Sequence, residues 1–60
     1  MRLHYITREE ELEYQNFSNV VCLQLVGPSE YLMTYIDALS QLNVKRLKVD
    51  ERHMITIEEV

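Results

Sequence analysis

The chain contains one glycine and one proline, and they are adjacent. Gly27-Pro28 ends an almost unbroken apolar run, Val20-Val21-Cys22-Leu23-Gln24-Leu25-Val26. β-Branched and aliphatic residues in such density read as a strand. Because side chains alternate across a strand, Val21, Leu23 and Leu25 fall on one face and Val20, Cys22 and Val26 on the other. A strand apolar on both faces belongs in the centre of a sheet, covered from two sides. That requirement is the tightest constraint in the sequence, because a 60-residue chain has little left to cover it with.

The segment after Pro28 predicts an amphipathic helix over 29–43. At about 100° per residue, Tyr31, Leu32, Tyr35, Ile36, Ala38, Leu39 and Leu42 share one broad face. Glu30, Thr34, Asp37, Ser40 and Gln41 share the other, and Met33 lies outside the apolar stripe. Pro28 suits the first turn, Glu30 complements the dipole there, and Asn43 suits the end. The helix lies between two strands, so those strands are expected to be parallel with a right-handed crossover.

The tail reads as a hairpin of 44–50 with 54–60. Pairing Leu47 with Ile57, Val49 with Ile55 and Asp50 with Met54 keeps apolar against apolar. Arg46 then meets Glu58 and Lys48 meets Thr56, around a loop of Glu51, Arg52 and His53. Residues 3–6 look like a strand. Residues 8–17 read either as a second strand, from the alternation of Leu12 and Tyr14 with Glu11, Glu13 and Gln15, or as a short helix behind a capping box at Thr7. The fold class expected is therefore α+β. One domain spans 1–60, with a small mixed sheet in the order ββαββ, or βαβαββ as the alternative, and one helix packed on one face.

One helix covers one face of a sheet. A chain this short, with one cysteine and so no internal disulfide, also lacks the usual staple of small domains. Both facts predict a homodimer or higher oligomer whose uncovered sheet face is the interface. The interface candidates are Val20, Cys22 and Val26 on the strand, Met33 off the helix stripe, and Tyr5, Tyr14 and Tyr31, since tyrosine is enriched at interfaces.

The chemistry-bearing residues form no recognisable constellation. His4, His53 and Cys22 do not lie at the close spacing of a zinc motif. Cys22 with a lone histidine carries no nucleophile signature, and mid-strand it reads as a buried small hydrophobe. Glu9, Glu10, Glu11 and Glu13 do not match a calcium loop and read as a solvated segment. Lys45, Arg46 and Lys48 form a basic patch that cross-strand acidic partners offset. Gly27-Pro28-Ser29 is not a phosphate loop. No metal or cofactor is expected.

The net charge of −4 argues against a nucleic-acid partner or an anionic membrane surface. No apolar run reaches the length of a membrane span or a signal peptide. A single thiol suits a reducing compartment. The reading is a complete cytoplasmic protein, a non-enzymatic protein–protein interaction module acting as an oligomeric regulator, inhibitor or adaptor. The alternative is a small-molecule sensor with its site at a dimer interface beside the strand–helix junction at Gly27. An enzyme with a site assembled across chains is a third reading.

Overall fold

The computed structural model describes residues 1–59. It contains six strands: β1 (Arg2–Arg8), β2 (Leu12–Phe17), β3 (Val20–Gly27), β4 (Glu30–Ile36), β5 (Leu42–Lys48) and β6 (His53–Glu58). They form two three-stranded sheets, β2-β1-β6 and β3-β4-β5, with every pairing antiparallel. No helix occurs among the described residues. The α+β expectation is thus corrected to all-β, and both ββαββ and βαβαββ fall with it. The parallel strands and the crossover go too.

The segment expected as a helix is a hairpin of β4 and β5. Tyr31, Met33 and Tyr35 alternate with Leu32, Thr34 and Ile36, and the first set faces the sheet β2-β1-β6. Aromatic and β-branched residues at that spacing satisfy a strand as fully as a helix. The turn that breaks the segment contains neither glycine nor proline. Asp37 builds it instead: its carboxylate accepts the N–H of Leu39 at 2.9 Å, the N–H of Gln41 at 3.0 Å and Nδ2 of Asn43 at 2.6 Å. Ser40 takes the left-handed conformation, with φ of 60°. An aspartate capping its own turn in this way replaces the backbone freedom that glycine otherwise supplies.

Gly27-Pro28 is a break, as the sequence predicts, but it joins strand to strand. Gly27 pairs with Glu30 around the two-residue loop Pro28-Ser29. Pro28 holds φ near −65°, which excludes the mirror-image turns that match strand twist. The register shift between Leu25 and Gly27 lies directly before this turn and absorbs the mismatch. A second shift, between Val20 and Cys22, leaves Val21 unpaired in the ladder.

The tail does not form its own hairpin. β5 pairs with β4, bringing Leu47 beside Tyr31, and β6 crosses to the other sheet, bringing Ile55 beside Tyr5 and Ile57 beside Leu3. The expected partners of Leu47, Val49, Arg46 and Lys48 across 54–60 are therefore corrected. Asp50 closes the corner by donating its N–H to the His53 carbonyl at 3.1 Å. Val60, the last residue of the expected strand, lies outside the described residues. Residues 3–6 are strand as expected, and of the segment 8–17, read as strand or helix, residues 12–17 form a strand while Arg8 ends β1.

Leu3, Tyr5, Val20, Met33 and Leu47 form the core, with Phe17, Leu23, Tyr31, Tyr35 and Ile55 packed around them. Both sheets contribute, so the inner face of each covers the other, as in a two-layer β fold. Phe17 meets Tyr35 edge to face across the layers, with ring centroids 4.9 Å apart. The Tyr5 hydroxyl donates to the Lys48 carbonyl at 2.7 Å and ties β1 to the end of β5. Burial raises the Tyr5 phenol above its ordinary pKa, chiefly through loss of solvent. No buried side-chain polar atom among the described residues lacks a partner.

Candidate functional site

β3 is an edge strand, so the expectation that it sits at the sheet centre is corrected. Its inner side touches the core through Val20 and Leu23, while Val21, Cys22, Leu25 and Val26 are exposed. Cys22 is therefore a surface thiol and not a buried hydrophobe.

The outer face of β3-β4-β5 follows from the register. Ile36 lies beside Leu42, Thr34 between Cys22 and Val44, and Leu32 between Gln24 and Arg46. Glu30 and Lys48 complete the polar end, where Arg46 bonds Glu30 at 3.0 Å. The other end is apolar and open: Leu42 is 67% exposed, and Ile36 and Val44 are exposed beside it. Leu39, on the turn next to this end, is 78% exposed. Seven of the twelve large exposed hydrophobics among the described residues belong to β3, β4, β5 and their turns.

The seven expected interface residues do not converge. Met33 is fully buried at 0% exposure in the middle of the core, which corrects its reading as an exposed contact. Tyr5 and Val20 are buried with it. Tyr14 lies on the outer face of the other sheet, paired with Ile6 in the row that also holds Met54. Tyr31 is half-buried on the inner face. Only Cys22 and Val26 lie on the exposed part of β3. Sequence reasoning missed Val21, Leu25, Ile36, Leu39, Leu42 and Val44. Period-two alternation of Leu42, Val44 and Arg46 with Asn43 and Lys45 carried a signal for two of them.

The polar groups gather at two places. At the first, His53 stacks on Tyr5 with ring centroids 6.0 Å apart, and its Nδ1 lies 2.7 Å from Asp50 Oδ1. Its Nε2 lies 3.6 Å from Glu9. Asp50 also accepts the Arg52 N–H at 2.8 Å. The His53 contact first, then that N–H, holds the Asp50 carboxyl below its ordinary pKa. At the second place, His4 bonds Asn16 through Nδ1 and approaches Glu58 at 3.5 Å through Nε2. The Asn16 contact first, then Glu58, raises the His4 pKa.

The acidic segment lines an open cleft of about 590 Å³ with Glu9, Glu10, Glu11 and Glu13, and Thr7 and Arg52 complete the lining. No group of three or more His, Cys, Asp or Glu side chains among the described residues is placed to hold a metal ion. Cys22 and His4 lie on the outer faces of opposite sheets, separated by more than the ~10 Å between packed layers, so they form no nucleophile–base pair. Gly27 sits in a hairpin, so the strand–helix junction of the sensor reading does not exist.

These shifts set a pH profile. Asp37 is held below its ordinary pKa, first by the Gln41 N–H and further by Asn43 and Leu39. A lowered carboxyl pKa gives stability that is full above about 3.9 and lost as pH falls through the folded value. The raised His4 pKa gives stability that is full below about 6.5 and lost as pH rises through the folded value. Urea midpoints are therefore expected to peak between about 4 and about 6.5. Asp37→Ala flattens the acid limb and His4→Ala the alkaline limb. An acid limb unchanged in Asp37→Ala contradicts the assignment.

No protein-family model, curated protein or solved structure matches this chain. No helix among the described residues is long and apolar enough to cross a membrane.

Proposed function

We propose that the protein is a non-enzymatic protein–protein interaction module that works as an oligomer in the cytoplasm, in the manner of a small regulator, inhibitor or adaptor. The observation that carries this reading is the imbalance between core and surface. Five residues form the core, while twelve large hydrophobics are exposed among the described residues. The accessible surface is 4684 Å². A compact monomer of this mass exposes about 4100 Å². Each chain thus shows roughly 600 Å² more than a closed monomer, of the order of the ~800 Å² that each partner buries in a stable interface.

Association of this kind links stability to concentration, because the partner binds the folded chain and not the unfolded one. The thermal midpoint is expected to rise by several degrees when protein concentration rises a hundredfold. A midpoint independent of concentration argues against an oligomer.

A further inference from the structure

The four open sheet edges are β2, β6, β3 and β5. Three of them carry charge. β5 has Lys45, Arg46 and Lys48, β6 ends at Glu58, and β2 has Glu13. β3 has no charged residue in its eight positions. Charges on an edge strand guard it against pairing with another chain, and β3 lacks that guard. Self-association along β5 about its middle residue sets Lys45 directly against its copy. Along β3 it sets no charge against any other. The Val20 N–H is held by the Met1 carbonyl at 3.1 Å. The stretch from Val21 to Val26 follows it on the outer edge of the sheet, with Val21, Leu25 and Val26 exposed.

We propose that β3 pairs antiparallel with the β3 of a second copy about a two-fold axis at Leu23, making one continuous six-stranded sheet. This deepens the oligomeric reading above and rests on it. A two-fold axis normal to the sheet keeps each residue on the same face in both copies, so residues of like parity stand opposite each other. With the axis at Leu23, Val21 faces Leu25 of the second copy and Cys22 faces Gln24, clear of Val20, whose N–H the Met1 carbonyl already holds. An axis at Cys22 sets the occupied Val20 against Gln24, and an axis at Gln24 sets Val21 against Gly27 at the turn. The irregularities at Val21 and Val26 bracket 22–25, so the regular part of the strand lies at the axis. Isologous pairing also closes at two chains, whereas head-to-tail pairing of basic β5 with acidic β2 leads to rings or filaments.

The register is tested by Gln24→Cys with Cys22 retained. Mild oxidation is expected to link Cys22 of one copy to the introduced thiol of the other, since opposite residues hold their Cβ atoms about 4.5–5.5 Å apart. In the wild type, Cys22 and its copy are offset by two residues and one strand, about 8 Å between Cα atoms. That exceeds the ~7 Å reach of a disulfide, so the wild type stays unlinked. In parallel, Leu25→Lys is expected to weaken association at least tenfold with the β-sheet circular dichroism intact, because Leu25 is 63% exposed within one chain. Val44→Lys, on the outer face, leaves the dimer in place.

Several outcomes overturn the seam while leaving the oligomeric module standing. They are direct Cys22–Cys22 linkage in the wild type, an oligomer that survives Leu25→Lys and fails to link in Gln24→Cys, dissociation by Val44→Lys, or species above a dimer that Lys45→Glu dissolves. A wild-type monomer at tens of micromolar overturns both.

Discussion

Met33→Lys is expected to leave the chain unfolded at room temperature, while Leu42→Lys folds. In the helical reading of 29–43 these two effects exchange places, since Leu42 belongs to the apolar stripe and Met33 lies outside it. In the structure Met33 occupies the central strand of its sheet and is fully buried, with Leu3, Tyr5, Val20 and Leu47 as the rest of the core. An ammonium at that site has no acidic partner among the core residues. Burying an unpaired charge costs several kcal/mol, and a domain of this length has only about 3–9 kcal/mol in all. Leu42 is 67% exposed, so a lysine there reaches water. Circular dichroism with urea titration of the two variants decides between the readings. A folded Met33→Lys beside an unfolded Leu42→Lys restores the helix.

The second large effect is at Leu47. Leu47→Ala is expected to lower stability by about 2–5 kcal/mol, from lost transfer free energy together with the cavity left behind. Leu47 is fully buried on an edge strand, beside Tyr31 and against the opposite sheet. In a domain this small the thermal midpoint falls by about 10 °C or more. A fall under about 3 °C shows that the two sheets do not meet at this residue. The edge placement makes the result informative: β5 contributes one fully buried side chain, and its other contacts are half-exposed or open.

Residues 3–6 and 20–26 were legible as strands because alternation or β-branched density carried them, while 8–17 stayed open between strand and helix. The Gly27-Pro28 break was legible for the same reason that it works: no other position in the chain offers such a break. Two things were not legible. Residues 31–36 are apolar or neutral at nearly every position, so a 3.6-residue period and a two-residue period both find a face. The turn that decides between them rests on the carboxylate of Asp37 and a left-handed Ser40, neither of which reads as a break beside Ala38 and Leu39. The tail failed for a different reason. Two strands were expected at 44–50 and 54–60 and lie at 42–48 and 53–58, but apolar matching of Leu47 with Ile57 is a local optimum. Non-local partners outcompete it: Tyr31 for Leu47 and Leu3 for Ile57. The surface followed from these errors. With a helix in place, Leu39 and Leu42 counted as core and Met33 as surface, and the hairpin reverses all three. The expectation of an uncovered sheet face rested on one helix over a two-faced central strand; neither is present, and the exposed apolar residues of β3, β4 and β5 support the oligomeric proposal instead.

In the oligomer proposed above, this surface lies between chains. Light scattering on the eluting wild-type peak at tens of micromolar tests it most directly. An interface between chains gives a mass of at least twice the 7.2 kDa chain, falling toward one chain on dilution. A single species of 7.2 kDa across that range contradicts it.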